Sequence, residues 1–178
     1  RQANASGYRS IAIGSSNIKE AGTTIGTKGP QAGTDYQNDS QARASGDDAI
    51  AFGSGSQADS FTSIAIGAFS DVESNSNHSM ALGNLAKAKN EKAIAIGYAA
   101  KTEAETGISM GTNATVTAKD GIGIGTKTQV AGEKSVAVGF TNNITAAAKN
   151  SGAFGNSNIV ANEKTFVVGN NVRTTQNN

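Results

Sequence analysis

The chain contains no cysteine, no tryptophan and a single proline, and aromatic residues make up only 5 % of it. Without cysteine there is no disulfide framework and no thiolate metal site. With so few large side chains, any core must be thin and filled by Ile, Val and Ala. Charged residues are 16 %, well under the roughly 25 % usual for soluble domains, so Asn, Ser, Thr and Gln supply the polar surface. The net charge is +1, and no run of Lys and Arg forms the basic stripe that a nucleic acid requires. No apolar run is long enough for a membrane-spanning helix. The chain opens at Arg1 rather than Met and shows no signal peptide, which reads as a piece of a longer protein. One proline beside 22 glycines argues against collagen and against a Pro-rich linker. The glycines must therefore serve positions.

Those positions form a repeat. A pentapeptide of the form small-apolar-small-apolar-Gly recurs, most clearly as Ser10-Ile11-Ala12-Ile13-Gly14, Ser63-Ile64-Ala65-Ile66-Gly67, Ala93-Ile94-Ala95-Ile96-Gly97 and Ser135-Val136-Ala137-Val138-Gly139. Close variants end at Gly26, Gly53, Gly83, Gly111, Gly125, Gly155 and Gly169. Successive glycines are 12, 27, 14, 16, 14, 14, 14, 14, 16 and 14 residues apart, so the unit is about 14 residues. The gap of 27 predicts a degenerate copy at Tyr36-Gln37-Asn38-Asp39, which brings the expected count to twelve. Small or β-branched residues recur three and five positions after each glycine, as at Ala86 and Ala88 or Thr128 and Val130.

Each unit holds two short period-2 segments, which signal strands. Fourteen residues are too few for a βαβ crossover. Identical units of this size stack as coils about 4.8 Å apart. The expected fold is therefore all-β, a parallel β-solenoid of about 14 residues per coil. The 178 residues read as one domain, with a degenerate coil at 27–48 and longer coils at 68–83 and 140–155. Within a long segment the Ile residues share one face and Ala the other. The reading adopted here turns Ile into the coil and leaves the Ala column for the close approach of another rod. The alternative packs Ala in a crowded coil interior and puts Ile at the interface. Both imply an oligomer, because a two-strand coil has little core of its own.

The phased S-[IV]-A-[IV]-G motif, running from Ser10 to Gly169, resembles the head of YadA-like trimeric autotransporter adhesins. The resemblance implies a left-handed β-roll in a homotrimer, displayed on a bacterial cell and anchored to the outer membrane by parts of the chain outside this sequence. It implies attachment to host extracellular matrix or cell-surface receptors, with self-association of bacteria as a further role, and no enzymatic activity or cofactor. This fragment is expected to touch neither membrane nor nucleic acid. An inert spacer that lifts another adhesive domain from the cell is the alternative.

The single histidine, His78, lies in the loop Glu73–His78 of a 16-residue unit and reads as an exposed loop residue rather than a triad member. Gly121–Thr128 lacks the G-x-x-x-x-G-K-[ST] spacing of a phosphate loop and is in phase with the repeat. Asp35, Asn38 and Asp39 lack the Gly and Glu of a calcium loop. A hexapeptide acyltransferase solenoid is excluded, because 14 is not a multiple of six. No catalytic or metal-binding residue is assigned. Insertions in repeat proteins map to loops that carry binding, so the candidate ligand contacts lie where the repeat breaks: Tyr36, Asp39, Glu73, Asn75, Asn77, His78 and Lys149.

Overall fold

The computed structural model describes residues 3–14 and 41–174. These residues contain strands and turns and no helix. The strands form two ten-stranded parallel sheets. Each coil gives a two-residue strand to one sheet, such as Lys101–Thr102, and a three-residue strand to the other, such as Ile108–Met110. In the last three coils the longer strand extends to five residues: Val136–Phe140, Gly152–Asn156 and Phe166–Asn170. Equivalent repeat positions lie directly above one another, as in Ile94↔Ile108, Ala95↔Ser109 and Ile96↔Met110. The turns stack in the same register, with the Lys92 amide donating to Asn77 O (2.9 Å) and the Thr106 amide to Glu91 O (3.0 Å). The ladder therefore satisfies backbone groups in turns as well as in strands.

Alanine, not isoleucine, fills the coil. Ala51, Ala65, Ala81, Ala95, Ala137 and Ala153 are completely buried, while Ile11, Ile13 and Ile66 are exposed. This reverses the orientation favoured from the sequence. The reason is the spacing of the sheets. Turns of a few residues hold the two strands of a coil close together, so the interior admits one small side chain from each wall. The facing wall is built from Ala44, Ala58, Val72, Ala88, Thr102, Val116, Val130, Ile144 and Val160, all buried. Beside Val116 the other wall shrinks to glycine. A Cβ on Gly121 would lie 2.9 Å from Val116 Cγ1, and one on Gly123 would lie 3.1 Å from Val116 Cγ2. Thr102 occupies the same wall by donating from its hydroxyl to Ile94 O (2.7 Å) and sharing a hydrogen bond with the Ser109 hydroxyl (2.7 Å). Nearer the end of the stack, buried Asn142 donates to Val138 O and Gly155 O, and its own oxygen accepts from the Asn158 amide. Asn158 repeats the pattern one coil on, with Gly169 O and the Val172 amide. These paired interior amides offset the desolvation that an unpaired polar group would suffer.

At the start of the stack, strands distant in sequence are neighbours. Strand Ile11–Ile13 pairs directly with Ile50–Phe52, in register Ile11↔Ile50 and Ala12↔Ala51, and Asn4–Ala5 pairs directly with Arg43–Ala44. The Gly53 amide donates to Ile13 O (2.8 Å). The sequence leads one to expect further copies between these strands, at Gly26 and at Tyr36–Asp39. Those residues lie outside the described residues. Ala42 and Ala44, expected as the second half of that unit, are buried and open the second described coil.

Deletion of residues 15–39 sets Gly14 14 residues before Gly53 and should leave the rod intact. Shortening the connection between two paired strands recovers at most about 2 kcal/mol of closure entropy. The expected result is an unchanged β spectrum by circular dichroism and a melting temperature equal to or a few degrees above that of the parent. A loss of the β signal would mean that the two coils do not stack without the segment.

Candidate interaction surfaces

The outward side chains of the longer strands form two columns ten coils long. One runs Ile11, Ile50, Ile64, Met80, Ile94, Ile108, Ile122, Val136, Gly152, Phe166, and the other Ile13, Phe52, Ile66, Leu82, Ile96, Met110, Ile124, Val138, Phe154, Val168. None is charged or polar. At Gly152 the missing side chain is replaced by its neighbours, for a Cβ there would lie 2.6 Å from the Phe166 ring and 3.0 Å from that of Phe154. Exposure is high along the second column, 52 % at Ile13, 51 % at Phe52 and 83 % at Val168. Continuous apolar surface of this extent marks a site of association on a protein that is otherwise polar.

The opposite sheet faces outward with charges that pair between coils and within them. Arg43 donates to Asp59 and Gln57. Lys87 lies 3.4 Å from Asp71, Lys89 lies between Glu73 (3.2 Å) and Glu103 (3.4 Å), and Lys101 lies 2.7 Å from Glu103. The Lys101 ammonium, with Lys89 beside it, holds the Glu103 carboxyl below the usual glutamate range. Burial pushes the Asp71 carboxyl up, against the pull of Lys87. Half-exposed pairs of this kind contribute about 0.2–1 kcal/mol each. Their larger effect is to bind each coil to the next in one register.

Both longer coils carry their extra residues in the turn that leads from the two-residue strand to the longer one, so the two loops share one edge of the rod. They are five coils, about 24 Å, apart. The rod holds them firmly. The Ser60 hydroxyl donates to Glu73 O and accepts from the Ser76 amide, both at 2.7 Å. Asn77 Oδ1 accepts from the Phe61 amide (3.2 Å). The His78 ring sits edge-on to Phe61 at 5.5 Å, with Nδ1 hydrogen-bonded to the Thr62 hydroxyl. Asn75 is exposed and left-handed, φ 68°. In the second loop the Ser135 hydroxyl donates to Ala148 O (2.8 Å), and Lys149 pairs with Glu133 at 3.2 Å.

The structure thus brings Glu73, Asn75, Asn77 and His78 into one loop, keeps Lys149 apart from them, and leaves Tyr36 and Asp39 outside the described residues. Sequence reasoning missed exposed Tyr8 and Phe61, which line the same edge as the loops. Both precede a left-handed turn residue, Arg9 and Thr62, at a fixed offset from the repeat that could have been read. Among the described residues no three His, Asp or Glu side chains converge as a metal site would require.

The YadA head domain repeat matches residues 1–17, 44–70, 74–100, 88–114 and 117–141, more than half of the chain. The chain belongs to the YadA head-domain family. Its matched segments fall on the coils described above and leave out the interval between the first two. Among solved structures, the crystal structure of the collagen-binding domain of the Yersinia adhesin YadA is similar, with a TM-score of 0.70 and 25 % sequence identity, covering 90 % of this chain and 80 % of that one. No curated protein matches. The family's solenoid architecture is the one reached from the repeat, with 14-residue coils stacked in parallel.

Proposed function

We propose that this chain is the adhesive head of a bacterial surface protein, working as a homotrimer in which three rods bury their isoleucine faces against one another. The carrying observation is the two-column apolar face, uncharged over all ten described coils, in a chain of a family whose solved relative is an adhesin domain. Burying it removes apolar area from water, at roughly 25 cal/mol per Å², and supplies the thick core that each coil lacks. The charged sheet and the loop edge then face outward. Anchoring to the outer membrane falls to other parts of the protein. The similar solved structure is a collagen-binding domain, which makes a triple-helical matrix protein the first ligand class to test. A repeated lateral surface, tripled by symmetry, suits weak multivalent contacts. The spacer alternative keeps one observation on its side: Glu73 and Lys149 already have partners within the rod.

Light scattering of the chain in 300 mM NaCl should give the mass of three chains. Surface binding to immobilised collagen, fibronectin and laminin then separates the two readings. An adhesive head binds at least one of them, with micromolar or weaker affinity per trimer. A trimer that binds none supports the spacer, and a mass of one chain removes the trimer itself.

A further inference from the structure

The turns that lead into the longer strands stack in register, so Tyr8, Asp47, Phe61 and Asn77 occupy one outward position in four successive described coils. The Asp48 amide donates to Tyr8 O (2.8 Å), the Thr62 amide to Asp47 O (2.9 Å) and the His78 amide to Phe61 O (3.0 Å). From Glu91 to Glu163 the same position carries only charged side chains. Two aromatic rings are therefore confined to one end of this edge, Tyr8 70 % and Phe61 46 % exposed, two coils or about 10 Å apart. Each ring is held by a neighbour. The Arg9 guanidinium lies over the Tyr8 ring at 4.9 Å and is itself paired with Asp48 at 2.6 Å. His78, hydrogen-bonded to the Thr62 hydroxyl, meets Phe61 edge to face at 5.5 Å. The polar groups between and beside the rings have capacity left over. Asp47 Oδ1 accepts from the Tyr8 amide (2.7 Å) and Asn77 Oδ1 from the Phe61 amide (3.2 Å), while Asp47 Oδ2 and Asn77 Nδ2 have no partner among the described residues.

We infer that this ledge binds an extended, neutral, β-1,4-linked saccharide. The inference names one ligand class for the adhesive head proposed above and rests on that reading. A sugar ring offers C–H groups on its faces and hydroxyls around its rim. The C–H faces pack on the electron-rich faces of aromatic rings, and the rim hydroxyls donate to carboxylates and accept from amides. In a β-1,4-linked chain each residue is turned over relative to the last, so the same face returns at every second residue. Tyr8 and Phe61, at equivalent positions two coils apart, match that period. Asp47, in the coil between them, meets the rim of the intervening residue. Rings already held in place lose little freedom on binding. Other ligands fit worse. A peptide strand has nothing to pair with, because the amides of Asp48, Thr62 and His78 are spent between coils. An anionic chain meets net negative charge, since Arg9 alone stands against Asp47 and Asp48.

The test is titration of the chain with cellotetraose and with chitotetraose, followed by calorimetry and by saturation-transfer NMR. The expected result is saturable binding of at least one of them, about tenfold tighter than that of the matching disaccharide, which reaches only one ring. Tyr8→Ala and Phe61→Ala should each weaken binding by about tenfold, and Phe61→Tyr, which keeps the ring, should retain it. Circular dichroism of all three variants should match the parent. Absence of saturation by about 10 mM of either tetrasaccharide overturns the inference, as does binding that survives in the double variant Tyr8→Ala, Phe61→Ala. A disaccharide that binds as tightly as the tetrasaccharide overturns the two-ring arrangement, and preference for a heparin-derived anionic tetrasaccharide overturns the neutral ligand. The matrix-protein binding described above is read on the same chain. A head that binds a matrix protein but neither tetrasaccharide therefore loses this inference alone, and one that binds none of them loses the adhesive reading as well.

Discussion

Replacing Gly125 by alanine is expected to destabilise the head by about 4 kcal/mol or more, among the largest effects available to one methyl group. Two causes act together. The residue has φ +116°, a conformation from which L side chains are excluded by their own backbone. A Cβ at this position would also lie 1.8 Å from the carbonyl oxygen of Gly139 in the next coil. No flexible group can yield, because the obstruction is backbone held in the ladder. The coils on either side must separate to admit the methyl, and every chain of an assembly bears the same lesion. Thermal and urea unfolding followed by circular dichroism reads the loss. The companion variant Ala99→Gly should act oppositely. Ala99 occupies the left-handed region at φ 52°, where a Cβ costs about 1–2 kcal/mol, and the gain is reduced by the greater freedom of glycine in the unfolded chain. A tolerated Gly125→Ala would mean that the glycine column is not the close contact between coils.

The second large effect concerns the apolar face. Ile66→Asp should convert the high-salt mass from three chains to one, or leave a chain that no longer folds, because three carboxylates would be buried around one axis without cations. The milder Ile66→Ala separates these outcomes. It should lower the melting temperature and make it depend more steeply on protein concentration, as expected when folding and association are linked. Ile66→Asp chains that keep the parent mass and stability would show that this face is not where chains meet.

Much of this was legible from glycine spacing. A strict interval of 14 between Gly83 and Gly139 leaves no room for a helix and forces like positions to stack, which determined the strand direction, the register and the two loop-bearing coils. The direction in which the strands face was not legible. Alternation says that Ile94 and Ile96 share a side and Ala95 takes the other, but not which side is inward. The usual expectation that the larger residue is buried belongs to sheets packed about 10 Å apart. Here the short turns bring the walls closer, so alanine fits and isoleucine does not. Each 16-residue interval holds a longer turn, at 73–79 and at 145–151. Their stiffness was hidden, because Ser60 and Ser135 reach them from the coil before.

Each coil hydrogen-bonds only to the coil before and the coil after. Tension applied along the chain therefore reaches the outermost coil first, and the rod yields by peeling rather than by breaking as a whole. A peeled coil of 14 residues would extend to almost 50 Å in place of the roughly 5 Å it occupied in the stack, a gain of about 40 Å. For the adhesive head proposed above, such a stack is a reserve of length, released in equal steps while the remaining coils keep their hold.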